Sequence, residues 1–476
     1  MSERFPLPQY QSGVVREAAV DEMLAPVDSV EWALNVHFDQ IGAVQTRKGL
    51  TRLGSQISAG NPILGMGFYR DNAGTTFAAL AKINTEVYAY SGSSWTSVRA
   101  SLTASSKARF TNFVDYTFMV NGHLNEIVQT WGGSGSFGTT NAASLPKGDF
   151  IENFRSRIWV ADNLTDKLYY SDVVTTSNTI TGGTEFIQIS PADGESMTGL
   201  KRSSGALLVF KQNHIYRVYD IETTDPDPEI NRGTYSQESI IEGKDGIYYH
   251  HPTGFYKFVN GPKQEEISRP IVDIVKAIPR SSYDDIAGWA DDDALYWSIG
   301  DITLDGISFT NLEVRRTIST QVWTVYSRPT EIRSSVLYDS GTTLVPILGD
   351  NDGNVLQLNV GNDDFGTAIF YDLITHWYYI STNRGLSKSF TELAALHENM
   401  TGAQLSFQVD SQNQKKTNNA WQPIGSLTRS IYEVLSANAN NFMRVRFRLS
   451  GSTTGSPATF RGFEILDLVT KGITKV

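Results

Sequence analysis

Three arginines on one predicted strand form the most regular charged pattern in the sequence. Arg444, Arg446 and Arg448 alternate with apolar residues. Because successive side chains of a β-strand point to opposite faces, the three guanidinium groups should share one face. This row could face an anion, either the carboxylates of a partner subunit or the phosphates of DNA. The alternative is a solvated outer face whose charge is balanced by local acids, which is common on protein surfaces.

A glycine-rich segment has the spacing of a dinucleotide-binding loop. It contains Gly133, Gly135 and Gly138. Such a loop needs a strand before it and a helix N-terminus after it, because the helix end holds the phosphates. The residues that follow, up to Pro146, are too few and too broken for that helix. We therefore interpret the glycines as a flexible connecting loop.

Two acidic segments resemble the start of a calcium loop. The segment Asp350–Asn354 would need glycine at its sixth place and glutamate at its twelfth, where the chain has Val355 and Gly361. Asp352 and Gly353 instead form a strong hairpin-turn signal between two apolar runs. Asp291–Asp293 lies in a similar position, and a solvated turn is again the better interpretation.

The remaining residue types give little support for catalysis. The seven histidines are scattered, at positions 37, 123, 214, 250, 251, 376 and 397. His250 and His251 are adjacent, so on a strand they point to opposite faces and cannot chelate one metal. There is no cysteine, which excludes disulfides and thiolate chemistry. We expect no catalytic, cofactor or metal site, although a carboxylate pair for glycoside hydrolysis depends on spatial geometry and stays open.

Composition favours strands and disfavours tight DNA binding. Among 476 residues there are 40 glycines and 11% aromatic residues, with 19% charged residues and a net charge of −11. Proteins that grip DNA by its phosphates are usually basic, whereas an acidic surface lets DNA slide past. We expect no signal peptide at the N-terminus and no membrane-spanning segment, because no run of about 18 apolar residues occurs.

The pattern of apolar runs predicts an all-β protein in three parts. Residues 1–50 are predicted to form an irregular N-terminal arm and a first hairpin. Residues 51–360 repeat units of three or four short strands separated by turn residues, which is typical of a β-propeller with six or seven blades. Residues 361–476 have longer strands and predict an antiparallel β-sandwich-like domain, in which Leu393–His397 could be strand or helix. A set of β-sandwiches is the alternative for the middle part.

Several segments resemble the tail hub or nozzle (packaged-DNA stabilisation) proteins of short-tailed bacteriophages. They are Gln45–Thr51, Phe154–Val160, Asp245–Tyr249 with Ile267–Ile271, Arg444–Arg448 and Phe460–Phe463. In the first of these the family tends to have Arg-Pro-Gly-x-Thr, and here Lys48 stands in the place of proline. The similarity lies in the order and style of the segments over most of the chain.

The resemblance implies a structural virion protein rather than an enzyme. It implies a homohexameric ring in the short tail, below the portal and adaptor proteins, with a propeller in each subunit. Such a ring retains packaged double-stranded DNA without sequence-specific binding, conducts it during ejection and offers docking surfaces for tail fibres or spikes. The protein would be made in the host cytoplasm. Its net negative charge would then keep DNA from adhering to the lumen.

Two other function classes remain as alternatives. A carbohydrate-binding or glycan-degrading propeller would place aromatic and acidic residues in its axial pocket. A cellular adhesion or scaffold protein would normally carry a signal peptide.

Overall fold

The computed structural model describes most of the chain, with short gaps. The described residues are 3–7, 10–16, 26, 28–40, 42–122, 124–139, 141–142, 144–174, 180–222, 228–259, 263–339, 341, 343–379, 387–410, 420–428, 431–442, 444–453 and 455–471. They form an almost entirely β structure. The helical elements are the α-helix α1 (Val272–Ala277) and the 3-10 turns Gln237–Ser239, Arg269–Ile271 and Arg280–Asp285.

Six short strands precede the repeating units. They are β1 (Glu3–Pro6), β2 (Gly13–Val14), β3 (Ser29–Leu34), β4 (Val36–Gln40), β5 (Ala43–Thr46) and β6 (Leu50–Arg52). The first three repeating units follow. Blade 1 contains β7 (Ile63–Arg70), β8 (Phe77–Ile83), β9 (Glu86–Tyr90) and β10 (Trp95–Arg99); blade 2 contains β11 (Arg109–Phe113), β12 (Tyr116–Val120) and β13 (Gln129–Trp131); blade 3 contains β14 (Phe150–Phe154), β15 (Arg157–Asp162), β16 (Lys167–Ser171) and β17 (Gly182–Gln188).

Four further blades complete the described ring. Blade 4 contains β18 (Met197–Ser203), β19 (Ala206–Lys211), β20 (Ile215–Val218) and β21 (Pro228–Ile230); blade 5 contains β22 (Ile241–Gly243), β23 (Gly246–His251), β24 (Gly254–Val259) and β25 (Lys263–Glu266); blade 6 contains β26 (Ala287–Ala290), β27 (Ala294–Leu304), β28 (Ile307–Thr317) and β29 (Trp323–Ser327); blade 7 contains β30 (Ile332–Asp339), β31 (Leu344–Asp350), β32 (Val355–Leu358) and β6.

The blades stack because their middle strands are apolar on both faces. In β19, Leu207 and Val209 pack against blade 3, whereas Leu208 and Phe210 pack against blade 5. Every pair of neighbouring blades in the described part shares such a cluster, including blade 7 with blade 1, where Ile347 meets the blade 1 strands. This ring of buried clusters confirms the predicted β-propeller, and it has seven blades.

The N-terminal part of the chain closes the ring. Strand β6 pairs antiparallel with β32, with Leu50 opposite Leu358 and Arg52 opposite Leu356. It supplies the outer strand of blade 7, so the first and last segments of the propeller share one sheet. A closed ring leaves no unpaired blade face exposed to solvent.

The remaining strands form a two-sheet β-sandwich. They are β33 (Asp363–Asp364), β34 (Thr367–Thr375), β35 (Ser387–Glu398), β36 (Gln404–Asp410), β37 (Gln422–Ser426), β38 (Ile431–Phe442), β39 (Arg444–Thr453) and β40 (Thr459–Lys471). One sheet has the order β38-β35-β40-β5-β4, with β1 also on β40; the other runs β37-β36-β39-β34-β3. Phe390, Phe407 and Phe447 pack together between the sheets. Leu393–His397 is therefore strand, within β35.

The first fifty residues are built into this sandwich. The predicted first hairpin is present as β4 and β5, and β5 pairs with β40. Strand β1 pairs with β40, and β3 pairs with β34. Strand β3 also meets β29 of blade 6 through the pair Leu34–Val325. The segment that we expected to be an irregular arm thus contributes strands to both sheets.

Candidate functional site: an axial cup and an arginine row

The inner strands of all seven blades surround a central cavity of about 600 Å³. We call this cavity the axial cup, defined by β7, β11, β14, β18, β22, β26 and β30 with the residues next to them. Side chains of both characters line it, among them Phe68, Asn112, Glu152, Arg202 and Leu337. Its volume lies in the range of sites that bind small molecules.

Ion pairs cross the propeller axis at the end where the inner strands begin. Arg109, the first residue of β11, lies 3.0 Å from Glu238, which precedes blade 5, and donates a 2.8 Å hydrogen bond to the carbonyl oxygen of Asp149. Lys107 lies 3.5 Å from Glu238 and 3.4 Å from Asp285, which precedes blade 6. Burial raises the pKa of Glu238, but Arg109 and Lys107 outweigh it and hold this pKa at about 2. These charges form a floor, so the cavity is a cup rather than a tunnel.

A ladder of amides and a guanidinium joins blades 1 to 4 at the open end. The Asn112 amide donates to the carbonyl oxygen of Arg70 at 3.0 Å, and the Asn153 amide donates to the carbonyl oxygen of Asn112 at 2.9 Å. Arg202 donates to Asn153 Oδ1 at 2.9 Å. Because Asn112 and Asn153 occupy equivalent places in β11 and β14, the repeating strand pattern builds this polar wall.

Blade 7, which adjoins blade 1 in the ring, adds an apolar patch to the cup wall. Leu337 in β30 lies directly across from Pro346, and Leu344 lies across from Asp339. The two leucines are 48% and 60% exposed, respectively, although both line the cup. The cup wall therefore combines an apolar patch with hydrogen-bonding groups.

Charges on the cup wall balance one another. Four basic residues (Arg70, Arg109, Lys201, Arg202) and four acidic residues (Glu152, Glu238, Glu242, Asp339) line it. Arg70 pairs with Asp339 at 2.6 Å, and Lys201 pairs with Glu242 at 3.1 Å. Glu152 accepts hydrogen bonds from the Asn153 backbone and from Thr111, but it has no ion-pair partner among the described residues.

The predicted arginine row is present on β39, and each guanidinium meets polar groups of its own chain. Arg444 lies 2.8 Å from Asp410, and Arg448 donates to Asp372 at 2.7 and 3.0 Å. Arg446 donates to Gln408 at 2.7 Å and also pairs with Glu31. The row thus corresponds to an outer face balanced by local acids.

Two tryptophans lie between these arginines. Trp377 is 4.8 Å from the guanidinium carbons of both Arg444 and Arg446, and Trp421 is 5.3 Å from that of Arg446 and 5.9 Å from that of Arg448. Such cation–π stacking holds the planar groups in place. The acids that neutralise the row come from β3, β34 and β36, and no local sequence signal predicts this pairing.

The calcium-like segment is a hairpin turn. Asp350 is buried, and its Oδ1 accepts hydrogen bonds from the backbone nitrogens of Asp352 and Asn354 at 2.9 and 2.7 Å. Its Oδ2 accepts one from Thr330. These bonds occupy the oxygens that a cation would need. Nowhere in the described ranges do three or more His, Asp or Glu side chains form a metal-binding group.

The glycine segment forms a structured cap on blade 2. Gly138 exchanges two backbone hydrogen bonds with Thr130, at 2.7 and 3.0 Å. Phe137 is buried and stacks on Trp131, whose indole nitrogen donates to the carbonyl oxygen of Gly135. The segment therefore covers the outer edge of β13.

The histidines stay separate. His250 is buried between Phe255 and Tyr283, whereas His251 contacts Thr253 and Asn213, so the two rings do point to different sides. Burial lowers the pKa of His250 to about 3. His123 lies outside the described residues.

Sequence reasoning missed a buried charge network where the propeller meets the sandwich. Arg47 makes two hydrogen bonds with Asp364, at 2.9 and 2.5 Å, and donates to Asn35 at 2.8 Å. Nearby, Arg328 pairs with Glu313 at 2.6 Å, and all four charged side chains are at most 6% exposed. The only sequence signal was Arg47 itself, which lies in the first segment of the phage resemblance.

Comparisons with known proteins give no information about function. No family model matches the chain, and no curated protein matches it. Solved structures with a similar arrangement include BamB from Moraxella catarrhalis, with 9% identity and a TM-score of 0.39, covering 66% of this chain and 98% of that one. The Neurospora crassa Pan2 WD40 domain has 11% identity and a TM-score of 0.40, covering 65% and 95%.

A third similar structure is the extracellular domain of the hybrid two-component system BT4673 from B. thetaiotaomicron. It has 10% identity and a TM-score of 0.43, covering 86% of this chain and 62% of that one. At these identities and scores, the likenesses carry no argument about activity. Among the described residues, no helix is both long enough and apolar enough to span a membrane. The described part of the chain is a seven-bladed β-propeller joined to a β-sandwich.

Proposed function

We propose that the protein is a structural virion subunit, the tail hub or nozzle of a short-tailed bacteriophage. Six copies would form a ring below the portal and adaptor, retain packaged DNA and conduct it during ejection. The observation that carries the proposal is the placement of strands β3 to β6. Strands β3, β4 and β5 lie in the sandwich, whereas β6 completes blade 7. This arrangement suits a subunit that bears load, because one continuous segment ties the two parts together.

Charge burial at the junction supports the same proposal. The buried Arg47–Asp364 pair joins the N-terminal segment to β33, and Arg47 also donates a 3.0 Å hydrogen bond to the carbonyl oxygen of Ser327, the last residue of β29 in blade 6. Breaking a buried ion pair by losing one partner costs about 3–5 kcal/mol. Relative rotation of the two parts would separate Arg47 from Ser327, so the junction resists bending. A wall that holds pressurised DNA needs this resistance.

The closed floor of the axial cup determines where DNA would pass. The pairs Arg109–Glu238 and Lys107–Asp285 cross the propeller axis. Duplex DNA therefore cannot thread a single propeller, and the proposed conduit runs between the copies of the ring. The net charge of −11 per chain would disfavour adhesion of phosphate to the lumen.

An apolar strip on the sandwich is our candidate for contact between copies. Leu396 in β35 and Tyr432 in the edge strand β38 lie directly opposite each other, and Val434 lies two residues further along β38. All three side chains are exposed. Exposed apolar patches on soluble proteins commonly mark protein contacts. We assign this strip to a neighbouring copy of the same chain.

The test is the mass and shape of the purified protein, alone and with a virion portal–adaptor complex, followed by negative-stain imaging. We expect a six-fold ring with a central hole, formed alone or on the portal complex. A protein that stays monomeric and does not bind the portal–adaptor complex would refute the hub function.

A matched pair of variants tests the contact strip. Val434→Asp places a charge in the strip and should prevent ring formation, because an interface would bury that charge unpaired. Leu164→Asp changes a still more exposed apolar side chain, on blade 3, and should leave the ring intact. Rings formed equally by both variants would exclude the strip as the contact.

A further inference from the structure

We propose that the axial cup is a binding site for a neutral oligosaccharide. The inference goes beyond the hub function and does not depend on it, since it rests on the wall of a single propeller. A site for such a sugar requires a preformed cavity, groups that bind hydroxyls, and an apolar surface for the C–H face of a sugar ring.

The cavity is preformed. The cross-axial pairs of Arg109 and Lys107 with Glu238 fix its floor, and the Asn112–Asn153–Arg202 ladder fixes one wall. A ligand entering the cup would not have to order these groups. Preorganisation of this kind lowers the cost of binding.

The polar wall offers donors and acceptors side by side. Arg202 uses one hydrogen bond on Asn153 Oδ1, which leaves further N–H groups of this exposed guanidinium for a ligand. Glu152, which also lines the cup, is held by Asn153 and Thr111, and its carboxylate can accept more. A sugar hydroxyl both donates and accepts, so one hydroxyl can bridge such a pair.

The apolar patch supplies the second contact. Leu337, Leu344 and Pro346 lie on neighbouring strands of blade 7, and Phe68 lines the cup on blade 1. The leucines stay exposed at the opening, where burial against an apolar surface would gain about 25 cal/mol for each Å². A pyranose ring has one C–H face that can cover such a surface while its hydroxyls reach the polar wall.

The charge balance selects a neutral ligand. The wall carries four basic and four acidic side chains. A polyanion such as a nucleic acid strand would meet the carboxylates of Glu152, Glu242 and Asp339 together with the basic side chains, so the cup offers it repulsion as well as attraction. A neutral polyol meets no such repulsion, and each charged group remains available as a hydrogen-bond partner.

Ligand-observed NMR and calorimetry test the proposal on the full chain. The probes are cellotriose, maltotriose, mannotriose and chitotriose, with sialyllactose as an acidic comparison. We expect at least one neutral trisaccharide to bind with a Kd of about 1 mM or tighter. Arg202→Ala and Glu152→Gln should each weaken that binding about tenfold, because each removes a charged hydrogen-bond partner.

Control variants distinguish the cup from the rest of the surface. Arg155→Ala removes an exposed arginine that pairs with Asp220 outside the cup, and it should leave binding unchanged. Leu337→Ser should weaken binding while preserving the fold, since that side chain is half-exposed. Three results would each overturn the proposal: no binding by any neutral probe at about 10 mM, preference for the acidic sugar, or binding that the cup variants do not alter. None of these results bears on ring formation, so the two proposals fail separately.

Discussion

Replacement of His250 by phenylalanine should make the protein less sensitive to acid. His250 is 1% exposed and lies between the rings of Phe255 and Tyr283, with centroid distances of 5.1 and 5.5 Å. Neither of its ring nitrogens has a hydrogen-bond partner among the described residues. The side chain therefore behaves as an apolar aromatic group that is kept neutral.

The size of the effect follows from the pKa. Burial, and after it the neighbouring His251, lowers the pKa of His250 to about 3. An unfolded histidine has a pKa near 6.5, so the unfolded state takes up a proton first as the pH falls. The stability that neutral His250 contributes is fully present above about pH 6.5. Below that pH it is lost at about 1.4 kcal/mol for each pH unit, down to the folded pKa. At pH 4.5 this loss is about 3 kcal/mol, and His250→Phe should abolish it.

The assay is urea unfolding followed by circular dichroism at pH 7.5, 6.0 and 4.5. The difference in free energy of unfolding between variant and wild type should grow by about 3 kcal/mol between the first and last pH. His214→Gln is the control, because His214 is partly exposed and pairs with Glu195 at 3.1 Å; this variant should keep the acid sensitivity due to His250. An equal pH dependence in His250→Phe and wild type would refute the reasoning.

Three further predictions concern single side chains. Arg47→Met should lower the free energy of unfolding in urea by about 3–5 kcal/mol, because Asp364 would stay buried and unpaired. The double variant Arg47→Met with Asp364→Leu should regain part of this free energy. Val114→Asn should raise the thermal midpoint by relieving about 1 kcal/mol of backbone strain, since the φ of Val114 is +56°; an unchanged midpoint would contradict this. Lys82→Met should destabilise blade 1 by at least about 2 kcal/mol in hydrogen exchange, because the Lys82 ammonium donates to three backbone carbonyls, those of Thr103, Ala104 and Ser106. The control is Lys201→Met, which loses only the ion pair with Glu242.

Local patterns determined the strands and their turns. The apolar run Ala206–Phe210 predicts a strand, and in the structure it is buried on both faces because alternate side chains pack against different neighbouring blades. The Asp352–Gly353 turn could be predicted because its conformation depends on those residues and the two strands beside it. The repeat of such strands at short spacing was sufficient to predict a propeller, since isolated blades cannot bury both faces.

The features that only the tertiary structure decided depend on contacts between residues that are far apart in the chain. Closure of the ring by β6, which completes blade 7, is a pairing across some 300 residues that no local pattern specifies. The partners of Arg446 and Arg448, Glu31 and Asp372, lie on strands that are distant from β39 in the sequence and meet it only in the sandwich. The floor of the axial cup exists because charges from different blades meet across the axis. Sequence periodicity encodes which face of a strand is buried, whereas the ring and the sandwich decide what lies against it.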